Sequence, residues 1–367
     1  MLRTALILLG LTTGSLFAQS LPIDRQATKE TRNLYRNLQK ASKKGTMFGH
    51  QDDLGYGVNW RAEAGRSDVK DVTGEYPAVF GWDLGRIELD STKEIDGIPF
   101  ESQRKMIQQV YAQGGVNTFS WHLNNPVDPT KTSWDAMDFS IRNIFSDKEI
   151  QNRYDSWLDR VATYFLSLKG PKGELIPVIF RPFHEHTGSW FWWGKDHATV
   201  DEYVKLWRYT VEYLRDKKSV HNLLYAYSTD RFTSREEYLE RYPGDDVIDL
   251  VGFDIYHRPQ TAKPDRFLED THKMVEILRT IGKEKKKVYA ITETGLEKLP
   301  MPDWWSEVLT PIIKDAGLSY VLVWRNGNPG HFYAPYPGQA SAEDFKKFAR
   351  RSDVFLQKKA AAQKLYK

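Results

Sequence analysis

Ile176-Pro177-Val178-Ile179-Phe180-Arg181-Pro182-Phe183-His184-Glu185-His186 is a near-continuous apolar run that ends abruptly in three ionisable side chains. A strand of a parallel sheet covered on both faces reads this way, because neither face alternates with solvent. Seven further runs share the character: residues 46–50, 78–82, 116–121, 223–228, 250–256, 288–292 and 320–324. With 176–183 they make eight. Any one of them fits a segment of buried helix as well as a strand. Their spacing decides, since most neighbours stand roughly 30–45 residues apart, the length of one βα unit. The expected fold is therefore α/β, a single-domain (β/α)8 TIM barrel.

The gaps hold amphipathic stretches. Thr199-Val200-Asp201-Glu202 has the form of a capping box, and Val204, Trp207, Val211 and Leu214 follow on one helical face. Met274, Leu278 and Ile281 repeat the pattern before the seventh run, and Leu34 and Leu38 predict a helix before the first. The third gap is longer than the rest and predicts extra loop or helix around residues 125–147.

Composition excludes several classes. At 40% hydrophobic, the 367 residues can build a core. The 52 basic and 49 acidic residues are interspersed, so no basic stripe marks a nucleic-acid binder. The run Lys283-Glu284-Lys285-Lys286-Lys287 reads as solvated surface. The absence of cysteine excludes disulfides, thiolate catalysis, cysteine-ligated zinc and a lipoprotein anchor. Arg3, the apolar run 5–11 and Leu16-Phe17-Ala18 read as a signal peptide over residues 1–18. Residues 19–367 are then one catalytic barrel, exported to the periplasm or the exterior without a membrane anchor. A monomer is expected.

Chemistry in such a barrel sits at the C-terminal strand ends. The runs here end in Gly49-His50-Gln51-Asp52-Asp53, Gly81-Trp82-Asp83, Ser120-Trp121-His122, His184-Glu185-His186, Asp254-Ile255-Tyr256-His257, Thr292-Glu293-Thr294 and Trp324-Arg325-Asn326. Five of the nine histidines lie there, which is more than strands stopping in polar residues would give. Glu185 and Glu293 each follow a strand, three βα units apart and so across the mouth from one another. Alone, either fits a salt bridge. Together they suit glycoside cleavage, which needs one protonated and one ionised carboxyl flanking the bond. The 12 Trp and 19 Tyr, and above all Trp190-Phe191-Trp192-Trp193, suit stacking on sugar rings. His184 and His186 lack the i, i+4 spacing of a helical zinc motif, so no metal and no cofactor are expected.

The stretch Phe180-Arg181-Pro182-Phe183-His184-Glu185, with Gly188-Ser189-Trp190-Phe191-Trp192-Trp193-Gly194, resembles the signature of glycoside hydrolase family 26. Phe48-Gly49-His50-Gln51, Leu223-Leu224-Tyr225-Ala226-Tyr227-Ser228, Gly252-Phe253-Asp254-Ile255-Tyr256-His257, Thr292-Glu293-Thr294-Gly295 and Trp324-Arg325-Asn326 resemble it in order. The resemblance implies retaining hydrolysis of β-1,4-mannan, galactomannan or glucomannan, endo-acting or releasing mannobiose. Glu185 would be the acid/base and Glu293 the nucleophile. His122, His184, Trp190, Tyr256 and Trp324 would line the subsites around the scissile bond, and Arg325 would contact sugar further toward the non-reducing side. Tyr256 would hold Glu293, and Arg181 and Asp254 would either tune charge or form a structural ion pair. The partners implied are mannan and its oligosaccharides. Mixed-linkage β-glucan or β-1,3-xylan as substrate, and a non-catalytic carbohydrate-binding barrel, are the competing readings.

Overall fold

The computed structural model describes residues 21–259 and 265–367. The proposed signal peptide lies outside them. All eight expected strands form: β1 Thr46–Gln51, β2 Val79–Asp83, β3 Val116–Trp121, β4 Val178–Pro182, β5 Leu223–Thr229, β6 Leu250–His257, β7 Val288–Leu296 and β8 Tyr320–Val323. Each pairs in parallel with the next. β8 returns to β1, with Met47 opposite Tyr320 and His50 opposite Val323, and the barrel closes. Closure leaves no open edge among these strands, apart from a short flap, Val354–Phe355, laid on the start of β1.

Period-two alternation sorts each strand into two cores. On β4, Ile179 joins an interior cluster with Met47, Leu224, Leu250 and Val288. Phe180 points the other way, onto Phe165 and Trp121 beneath the outer helices. Arg181 is again interior. The helix Lys29–Ala41 supplies Leu34, Tyr35, Leu38 and Ala41 to the interior cluster and plugs the end away from the strand C termini. The filling at that end is mostly apolar, and the charged groups Arg181, Asp254 and Glu293 lie toward the strand C termini.

The capping box at Thr199 and Glu202 is present and starts the helix Val200–Glu212. Its buried stripe runs through Tyr203, Leu206, Trp207, Thr210 and Val211, slightly rotated from expectation, because Val204 lies at the edge of the contact. The helix Phe267–Lys285 buries Met274, Leu278 and Ile281 as expected. The long third gap carries an extended loop and a short extra helix, Ser140–Ser146. Among the described residues no helix is long and apolar enough to cross a membrane.

Candidate active site

A cavity of about 890 Å³ opens at the C-terminal strand ends. His122, His184, Glu185, Trp190, Tyr256, Glu293 and Trp324 all line it. Of the expected site residues, only Arg325 is not on its wall. Its Nη2 lies 3.2 Å from Asp96 Oδ1, in the loop after β2.

Glu185 sits in a tight turn. Phe183 and Glu185 both take left-handed backbone angles, φ 50° and 52°, which side-chain-bearing residues adopt at a cost. The turn is tied down by its neighbours. Glu185 N–H donates to Ser228 O at 3.1 Å, Trp193 Nε1 to His184 O at 2.9 Å, and Tyr203 OH to Phe183 O at 3.2 Å. The Glu185 carboxyl accepts from Trp190 Nε1 at 2.7 Å. Burial, with the nearby charges of Asp254 and Glu293, pushes the Glu185 carboxyl well above its usual range, and the Trp190 N–H pulls weakly the other way.

Glu293 reaches the site through a β-bulge. β6 pairs Phe253 with Ile291 and then Asp254 with Glu293, skipping Thr292. β8 shows the same slip, with Val321 opposite Ile291 and Val323 opposite Thr294. Strict alternation after Val288 and Ala290 would turn Thr292 inward and Glu293 outward. The extra residue brings Glu293 inward as well.

There Glu293 meets Arg181, which donates from Nη2 to its Oε1, and Tyr256, whose hydroxyl donates to Oε2 at 2.7 Å. Arg181 also bonds Asp254 Oδ2 at 2.7 Å. Asp254 accepts in addition from Thr292 Oγ1 at 2.6 Å and Ser228 Oγ at 2.9 Å. Burial, and the Glu293 charge against the Arg181 charge, leave Asp254 pushed up to about 7. Arg181 is raised despite its burial, by the two carboxylates it bridges. Arg181 and Asp254 thus form one buried network with Glu293. Oxygens of Glu185, Asp254 and Glu293 lie within 4.8 Å of one another.

Of the four rings at 190–193, Trp190 is 41% exposed at the cavity and Phe191 reaches its wall, buried. Trp192 and Trp193 are core, their N–H groups held by Leu123 O and His184 O. The wall also holds residues that sequence reasoning did not select. Trp134, 51% exposed, stacks on His122 with ring centroids 5.0 Å apart. It lies in the long third gap, and that excess length was the only signal. Asp230, Arg258 and Tyr333 are among the further residues on the wall.

Three comparisons bear on identity. The sequence pattern of glycosyl hydrolase family 26 matches residues 23–312. A mannan endo-1,4-beta-mannosidase of Bifidobacterium adolescentis is 32% identical over 348 residues, which is 89% of this chain but about a third (34%) of that relative. Among solved structures, a family 26 beta-mannanase from Bacteroides ovatus is 47% identical, with TM-score 0.88 over 93% of this chain and 98% of the other. A modular endo-beta-1,4-mannanase from Cellulomonas fimi is 34% identical, with TM-score 0.84 over 92% and 78%. On this similarity, and on a barrel that carries the family's sequence signature at its mouth, the chain belongs to glycosyl hydrolase family 26.

Proposed function

We propose that the chain hydrolyses β-1,4-mannosidic bonds with retention, Glu185 serving as acid/base and Glu293 as nucleophile. The observation that carries the reading is the close approach of the two carboxyls, within 4.8 Å across the cavity. Retaining enzymes hold the pair about 5–5.5 Å apart, whereas inverting enzymes leave roughly 6.5–9.5 Å for a water. Environment separates the roles. Burial favours the protonated form of Glu185, an acid ready to donate. Glu293 accepts from Arg181 and Tyr256, an arrangement suited to an anion aimed at the anomeric carbon.

In the first step Glu293 attacks the anomeric carbon as the Glu185 proton passes to the departing glycosidic oxygen. A covalent glycosyl-enzyme and the shortened chain result. Glu185, now ionised, takes a proton from water, whose oxygen displaces Glu293 and restores the starting anomer. Mannan as the sugar is supported by the mannanase relatives and structures. Export is inferred from residues 1–18, and a monomeric state is part of the same proposal.

Proton NMR of fresh products tests the chemistry, with β-anomer expected first and α-anomer overturning the role of Glu293. Glu293→Gln should lose at least roughly 10³-fold in kcat, the scale of removing a covalent nucleophile. Reducing-sugar release should be far greater on mannan than on lichenan or β-1,3-xylan. Mannobiose dominant from the first minutes would indicate release from chain ends.

A further inference from the structure

Two side chains of the cavity wall, His122 and His184, form a hydrogen-bonded line with Asp83 behind them, and the reaction above does not use it. Asp83, the last residue of β2, is 1% exposed and saturated with donors. Its Oδ2 accepts from Ser120 Oγ at 2.6 Å and faces His122 Nδ1 at 2.6 Å. Its Oδ1 accepts from the backbone N–H of Gly85 at 2.5 Å and of His122 at 3.3 Å. A carboxylate so surrounded makes His122 Nδ1 a donor too. The other nitrogen of His122, Nε2, lies 3.2 Å from His184 Nε2. Only one proton fits between two imidazole nitrogens, so one ring must donate and the other accept.

We propose that Asp83 is a positioning residue: it keeps His122 doubly protonated, and through His122 it fixes His184 as the neutral tautomer whose Nε2 accepts. His184 immediately precedes Glu185 in the left-handed turn, so the line from Asp83 orients the turn that carries the acid/base. This rests on the mannanase reading for its catalytic consequence, though not for its geometry.

The surroundings favour this assignment. Burial pulls His122 down, but the charge and hydrogen bond of Asp83 outweigh it and leave the ring raised. Glu293, on β7, and Asp96, in the loop after β2, add in the same direction, and Arg181, on β4, opposes them. Burial, then the charges of Arg181 and His122, hold His184 far below the usual histidine range. The remaining nitrogen, His184 Nδ1, is buried without a hydrogen-bond partner among the described residues, so no described group competes to set the tautomer. The proton it then carries is an unpaired buried donor, whose cost the His122–His184 bond must offset. Trp134 stacked on His122 places an aromatic face against a cationic ring.

The test uses the full chain labelled with ¹⁵N-histidine, with His122 and His184 assigned by substitution. At pH 7, both His122 nitrogens should be protonated, and His184 should carry its proton on Nδ1. Asp83→Asn keeps the size and an acceptor but drops the charge. In it, His122 should retain one proton, and kcat/KM on mannan should fall roughly 10- to 100-fold, the scale of one charged hydrogen bond. That deficit should narrow as the pH falls toward 5, because acid recharges His122. A merely structural role would give the same deficit at every pH, and that result overturns the proposal. So does a singly protonated His122 in the wild-type protein, which decides the matter even if Asp83→Asn does not fold. If the wild-type protein lacks mannan activity, the mannanase reading fails, and the ¹⁵N spectra still judge the line from Asp83.

Discussion

Thr292 and Glu293 are consecutive in β7, yet both side chains reach the same interior network. Thr292 Oγ1 bonds Asp254 Oδ1 at 2.6 Å and Phe253 O at 3.0 Å, and Glu293 is bonded by Arg181 and Tyr256. Thr292 thereby fastens the bulge that aims Glu293. Thr292→Val keeps the shape and removes the single hydroxyl proton that these two oxygens share, leaving the buried network one donor short. The variant should lose about 1–3 kcal/mol in urea denaturation. It should lower kcat on mannan more than it raises KM, because Glu293 is misdirected and the sugar contacts remain. Unchanged kcat would separate the bulge from catalysis.

Among the described residues Trp190 gives Glu185 its one side-chain hydrogen bond, at 2.7 Å. That bond lowers an otherwise raised carboxyl. Trp190→Phe keeps a ring and deletes the N–H, so Glu185 should hold its proton to higher pH. The proposed reaction requires the acid form for bond cleavage, and the alkaline limb of kcat/KM should therefore move upward. A limb that stays in place or moves down would remove Glu185 as the group responsible.

Trp134 offers the cavity a half-exposed ring backed by His122. Trp134→Ala should raise KM for mannan roughly three- to tenfold with little change in kcat, the scale of a lost aromatic contact. An equal fall in kcat would mean that the ring acts on the transition state and not on ground-state binding.

Glu94 is fully buried and accepts from the N–H groups of Asp96 and Ile98 at 2.7 and 2.6 Å. Burial outweighs these bonds and pushes it from 4.5 up to about 8. A carboxyl that is raised on folding binds its proton more tightly in the native state. Its contribution is present below the unfolded value and is lost as pH rises through the folded one. Glu94→Gln cannot ionise and lacks this dependence. The stability of the wild-type protein relative to Glu94→Gln should fall between pH 5 and pH 8, measured by urea denaturation at several pH values. Parallel profiles would show that Glu94 ionises normally.

The line between what is local and what is tertiary runs through particular residues. Eight apolar runs, their spacing and the polar residues at their ends are local properties, and they were enough to specify the barrel and to put His122, His184, Glu185, Tyr256, Glu293 and Trp324 at one mouth. A parallel strand covered on both faces must be apolar throughout, so its end is written in the sequence where that apolarity stops. The burial of Trp192 and Trp193 was not legible, because a ring that packs against a neighbouring loop and a ring that faces a cavity have the same composition. Arg325 shares its stretch with Trp324 but turns to Asp96, a residue remote in sequence. Trp134 arrives from a loop with no periodicity to read.

The opening stretch shows the same division. Ile176 to His186 determined a buried strand that ends in an acid, since that depends only on which residues are apolar. Whether Glu293 would face it depended on register. A side chain's face follows from counting by twos along a strand, and the count is broken at Thr292, where β7 must satisfy β6 on one side and β8 on the other. That constraint exists only once three strands are hydrogen-bonded together, so it was left to the tertiary structure to turn Glu293 inward.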